Sequence, residues 1–192
     1  MTLTFGAALL GAYLLGSIPT GVLLSRFSAG VDIQSRGSGN IGATNVTRVL
    51  GLKLGALTLL GDALKGFVPT LLAVWWLPEL ESASWIGLAA FVGHCHSIFL
   101  GLRGGKGVAV ALGDFLALTP QAVPIGVVVW ALVFGRFRKS SLASLVGALA
   151  LLGAAAGIEA YRPALPTLIT MTVLIFWKHR DNISRLRQGT EL

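Results

Sequence analysis

The chain is poor in charge. Only 12% of its 192 residues are Asp, Glu, Lys or Arg, against roughly a quarter in an ordinary soluble domain. So few charges cannot clothe a water-facing surface of this size, which excludes an ordinary soluble domain. Cysteine is nearly absent. Cys95 stands alone, so no intramolecular disulfide can form and the redox compartment stays open. The N-terminus lacks the basic n-region and the small-x-small cleavage site of a secretory signal peptide. Its apolar stretch runs on to Leu24, so it reads as a retained first span.

What fills the chain is apolar sequence, 54% of residues, with a mean hydropathy of +0.78. A span needs about 20 mostly apolar residues to cross a hydrocarbon core of roughly 30 Å. Seven segments approach that: Leu3–Leu24, Leu52–Leu77, Ser84–Gly101, Val108–Leu118, Pro120–Phe134, Leu142–Gly157 and Leu165–Trp177. Their runs are continuous and do not alternate, which implies helices. The expected fold is an all-α polytopic integral membrane protein of about seven transmembrane helices, one domain over residues 1–192. The fourth and fifth segments are short and only Thr119-Pro120 parts them. Five spans with a re-entrant hairpin is the alternative. Gly153-Ala-Ala-Ala-Gly157 fits a small-xxx-small packing face and equally fits a merely flexible run.

The net charge is +7, which points to anionic partners: lipid headgroups or phosphorylated small molecules. Nucleic acid is not expected, because the basic residues sit between apolar runs. All the Lys and Arg residues except Lys65 and Arg162 fall in alternate connections and the tail. The opposite connections carry Glu79, Glu81 and Glu159. By the positive-inside rule the N-terminus is outside and the C-terminus cytoplasmic.

Unusual polar sequence gathers on that same side. From Ser35 to Arg48 the chain is crowded with glycines, hydroxyls, amides and two arginines. Glycine lets backbone amides approach a ligand closely, and arginine supplies bidentate phosphate geometry. A flexible solvated loop is the plainer reading. Gly37-x-Gly39-x-x-Gly42 imitates a dinucleotide fingerprint, but a span and not a strand precedes it. A second block, Gly104-Gly-Lys-Gly107, opens onto the next helix and would place amides and Lys106 at a helix N-terminus, a natural anion site. It is no Walker A loop, since Leu100 and Gly107 stand where that motif wants Gly and Ser or Thr. His94 and His96 lack the cysteine pair or carboxylate of a metal site. In the third block His179 and Asn182, three apart, could share a helical face; from the residues alone, an ordinary anchoring tail is the better reading. Asp62, Lys65 and Asp114 lie inside spans, where ionisable residues are costly and suggest function. Asp62 and Lys65, one turn apart, fit a structural ion pair equally well.

Together these stretches resemble the PlsY family of bacterial acyl-phosphate:glycerol-3-phosphate acyltransferases. The resemblance rests on Gly16–Gly21, Gly37–Asn45, Asp62–Gly66, Gly104–Ala109 and His179–Glu191, in the family's order and nearly end to end. It implies transfer of a fatty acyl group from acyl phosphate to the 1-hydroxyl of glycerol 3-phosphate, giving lysophosphatidic acid and phosphate, in the bacterial inner membrane. It also implies site roles. Ser38, Asn40, Thr44, Asn45 and Arg48 would bind phosphate, with Gly104, Gly105 and Gly107 as a second cradle, and Lys106, Ser141, His179 and Asn182 would carry the chemistry. The chemistry suits the residues: an acyl phosphate is an activated anhydride, so orientation and charge stabilisation suffice. No covalent nucleophile, metal or cofactor is expected. The His-x4-Asp motif of acyltransferases that use thioester donors is missing, as is any legible Ser-His-Asp set. Expected partners are glycerol 3-phosphate, acyl phosphate and membrane lipids; oligomeric state is not legible, and a monomer is compatible. Two rivals stand beside this reading, a membrane transporter for a phosphorylated metabolite and a lipid-binding subunit that does not react.

Overall fold

Each long apolar run forms helix, the form in which a backbone out of reach of water satisfies its own polar groups. The computed structural model describes residues 3–191. In chain order the α-helices are α1 (Leu3–Ser17), α2 (Thr20–Ala29), α3 (Ala43–Leu50), α4 (Leu52–Trp76), α5 (Leu80–Cys95), α6 (Val108–Leu118), α7 (Val123–Phe137), α8 (Ser140–Ala156), α9 (Leu165–Lys178) and α10 (Arg180–Arg187). No strand occurs among the described residues. Three stretches, Leu3–Ala29, Leu52–Trp76 and Leu80–Leu100, are long and apolar enough to cross a membrane. Trp75, Trp76, Leu132 and Val173 are exposed on the outer faces, as suits a protein whose surroundings are lipid.

Several boundaries differ from the sequence reading. The first segment is two helices, because Pro19 lacks an N–H and its ring disrupts the preceding turn. At the break, Lys65 Nζ donates to the carbonyl of Ile18 at 2.7 Å. The block read as a polar connection contains α3, bounded by Gly42 and by Gly51 at φ 89°. The fourth and fifth segments are separate helices of 11 and 15 residues, about 16 and 22 Å long at the α-helical rise. The helix of the third segment, α5, stops at Cys95, short of Gly101. The packing face expected at Gly153 is not used: no described atom lies within 4 Å of where its Cβ would be. Close approach occurs elsewhere. Between α4 and α6, a Cβ on Gly113 would lie 2.0 Å from the Ala63 carbonyl oxygen, and between α1 and α5 one on Gly16 would lie 2.0 Å from that of Ala90.

The core is a layer of Phe91, Val110, Leu118, Leu168 and Met171 joining α5, α6 and α9. Polar contacts lie within this apolar interior. Thr70 Oγ1 donates to Asp114 Oδ1 at 2.9 Å, linking α4 to α6. Within α4, Lys65 and Asp62 pair at 2.9 Å with side chains 5% and 3% exposed. This packing holds the N-terminus of α6, the start of α8 and the α9–α10 junction around one space.

Candidate active site

That space is a cavity of about 740 Å³ with two unlike ends. One end is polar, walled by the loop before α3, by Lys106 and Gly107, by Ser140 and Ser141, and by His179 and Asn182. The other runs between apolar helix faces: Leu112 and Phe115 of α6, Val127 and Trp130 of α7, Ala148 and Leu151 of α8. A phosphorylated head and an acyl chain can lie in it together.

The polar loop is shaped by two asparagines. Buried Asn45 accepts from the Ser38 N–H at 2.9 Å, and its amide nitrogen donates to the carbonyls of Ile33, Arg36 and Asn40 at 3.4, 3.0 and 2.9 Å. Asn40 Oδ1 accepts from the Gly42 N–H at 2.8 Å. Asn40 and Asn45, expected as phosphate ligands, line the cavity but commit these groups to the backbone. Ser38, Thr44 and Arg48 are exposed and also line it. Thr44 reaches across to α8, its hydroxyl 3.0 Å from that of Ser140.

The phosphate cradle expected at Gly104–Gly107 divides. Gly104 and Gly105 stand behind the cavity wall, their N–H groups donating to the carbonyls of Cys95 and His94. Gly107 caps α6 at φ 80° and, with Val108 and Ala109, turns the helix N-terminus toward the space. The φ and the Phe91 ring 2.2 Å from a would-be Cβ both require glycine there. Lys106 Nζ donates to Asn182 Oδ1. Burial pushes its ammonium down to about 8 against the pull of Glu191.

His179 sits between α9 and α10, buried, with Nδ1 2.8 Å from the Ile175 carbonyl. A carbonyl only accepts, so Nδ1 carries the proton and Nε2 keeps its lone pair. Burial and then the Lys106 charge lower its pKa to about 4, so the ring is neutral at pH 7. Two groups that sequence reasoning left out complete the wall, Arg185 and Glu191. Glu191 Oε1 accepts from Ser141 Oγ and Asn182 Nδ2, both at 2.6 Å, and Oε2 from Arg185 Nε at 2.8 Å. Burial pushes this carboxyl up, but those three hydrogen bonds outweigh it and hold it below the usual glutamate range. Nothing local in Thr190-Glu191 signals this contact, which joins positions fifty residues apart.

An all-helical, lipid-facing fold around such a cavity defines an integral membrane protein with one pocket suited to a phosphorylated head and an apolar chain. Residues 6–189 match the family model described as glycerol-3-phosphate acyltransferase, and the chain belongs to that family. It is 52% identical over 186 residues to the glycerol-3-phosphate acyltransferase of Trichlorobacter lovleyi, covering 94% of this chain and 93% of the relative. Against that of Geotalea daltonii the identity is 48% over 184 residues, covering 95% and 94%. The fold matches the crystal structure of PlsY (YgiH), an integral membrane glycerol 3-phosphate acyltransferase, in its glycerol 3-phosphate form, with a TM-score of 0.94, 39% identity and coverage of 98% and 94%. The lysophosphatidic acid form of that protein gives 0.93. The transporter reading finds no support among these relatives.

Proposed function

We propose that the chain takes its acyl group from acyl phosphate and esterifies the 1-hydroxyl of glycerol 3-phosphate, releasing inorganic phosphate and lysophosphatidic acid. The observation that carries this is one cavity with Lys106, Asn182 and His179 at its polar end and an apolar arm leading from it. Crystal forms of the 39%-identical PlsY with glycerol 3-phosphate and with lysophosphatidic acid support the same pair of ligands here.

In this reading Ser38, Thr44 and Arg48 hold one phosphate, and Lys106 with the α6 N-terminus holds the other. Gly104 and Gly105 support that turn from behind. Asn182 orients Lys106, and Ser141 and Arg185 are set by Glu191. The glycerol hydroxyl attacks the acyl carbonyl, its new C–O bond forms, and the acyl–oxygen bond to phosphate breaks. His179 Nε2 accepts a hydrogen bond from the hydroxyl and orients it. A base with a pKa of about 4 keeps a proton poorly at neutral pH, so the departing phosphate takes it. About seven transmembrane helices set the chain in the bacterial inner membrane, with the N-terminus outside and the cavity's polar end cytoplasmic. The chain acts as a single domain.

The test is phosphate release by detergent-purified protein given palmitoyl phosphate with and without glycerol 3-phosphate, with palmitoyl-CoA in a parallel tube. Release dependent on glycerol 3-phosphate, with lysophosphatidic acid formed and nothing from the CoA ester, is the expected result. Turnover of the CoA ester overturns the donor.

A further inference from the structure

Behind the cavity lies a cluster that the chemistry above does not use. Asp62 and His94 both line its wall, 2% and 4% exposed. Their facing atoms, Asp62 Oδ1 and His94 Nδ1, stand 3.7 Å apart, and Nδ1 has no hydrogen-bond partner among the described residues. Both atoms are shut off from solvent. The cluster touches the active site through backbone. Gly105 donates its N–H to the His94 carbonyl at 3.0 Å, and Gly104 donates to that of Cys95 at 3.3 Å. Gly105 also packs on the ring, where a Cβ would come 2.2 Å from His94 Nε2. On the other side Lys65, paired with Asp62, closes the helix break at Ile18. The buried Asp62–Lys65 pair of α4 therefore lies between the α1–α2 break and the residue that supports the turn presenting Lys106.

We propose that Asp62 is a positioning residue for the acyl transfer. Acting through His94, it fixes the Gly104–Gly105 turn, and so fixes where Lys106 stands relative to Asn182. A buried ion pair contributes little net stability, whereas Asp62 faces the ring against which Gly105 packs, next to Lys106, and is placed to control geometry. The proposal rests on reading Lys106 as a phosphate ligand.

The experiment is steady-state phosphate release by Asp62→Asn/Lys65→Met, which removes both charges together and leaves neither unpaired, and by His94→Asn. Folding is checked by helical circular dichroism and a monodisperse elution profile. The expected result for each is at least a tenfold rise in KM for one phosphorylated substrate, with kcat within threefold of wild type. Should the double variant not fold, His94→Asn carries the test by itself. In addition, His94→Ala should restore part of the activity that Gly105→Ala abolishes, by vacating the space the new methyl needs. KM values unchanged in folded variants, or no recovery in the His94→Ala/Gly105→Ala pair, overturn the proposal. Lys106→Ala runs beside them: if it keeps wild-type turnover, the site reading has failed and not the positioning role alone.

Discussion

The Asn182 amide donates to Glu191 at 2.6 Å while its oxygen accepts from Lys106. One side chain thus connects the α6 turn to the carboxylate that also holds Ser141 and Arg185. Glu191→Gln keeps the shape and removes the charge. Hydrogen bonds to charged groups are worth about 1.5–3 kcal/mol, so kcat/KM should fall about 10- to 100-fold. Thermal midpoints measured beside the kinetics would reveal whether the loss is merely unfolding.

Lys106 should be lost to activity by truncation and by pH alike. Lys106→Ala removes a cation from a water-poor site and should lower kcat/KM by about 10²–10³. In the free enzyme burial brings its pKa down to about 8, so the ammonium is present below that pH and lost as pH rises through it. The kcat/KM profile should therefore fall on an alkaline limb near pH 8. Lys106→Arg, whose cation does not titrate, should remove the limb. A limb that survives the substitution assigns it to another group.

His179→Ala should slow turnover by about 100-fold, within the range of one positioned proton-transfer or orienting group. The acid side of the pH–rate profile should keep its shape, because the ring is already neutral above about pH 4. A profile flattened on that side by the substitution would make His179 the base.

Asn45→Ala strips the loop of four hydrogen bonds to its backbone. Leaving buried amide partners unsatisfied costs about 1–3 kcal/mol, so the denaturation midpoint should drop along with activity. Arg48→Ala, on an exposed side chain, should spare the midpoint and raise KM.

Ala148→Phe puts a ring into the apolar arm. Acyl chains that fill it should be affected most, so relative kcat/KM should move from palmitoyl toward lauroyl phosphate. Equal losses for both lengths would place the chain elsewhere.

The membrane class was legible because it needs only composition: few charges and long apolar runs. The polar blocks were legible because Gly37–Arg48 and Gly104–Gly107 break that background. Their internal division of labour was not. Asn45 reads as a ligand beside glycines and hydroxyls, yet its local position at the first turn of α3 lets it staple four backbone groups. Gly104 and Gly105 look like Gly107, and only the fold decides which faces the cavity. Glu191 was illegible as a site residue, since its partners lie on α8 and α10 and no local periodicity carries such a contact. The break at Pro19 is legible in hindsight from proline alone, but its closure by Lys65 depends on how α4 crosses it.

The unlike ends of the cavity have a consequence for transport. A sugar-derived phosphate can arrive through water while the fatty chain stays among other chains, and the ester forms where the two phases meet. Moving that chain through water would cost about 0.8 kcal/mol for every methylene exposed. An arm walled by Leu112, Phe115 and Leu151 spares the reaction that exposure, and the product is made already seated in the bilayer it will help to build.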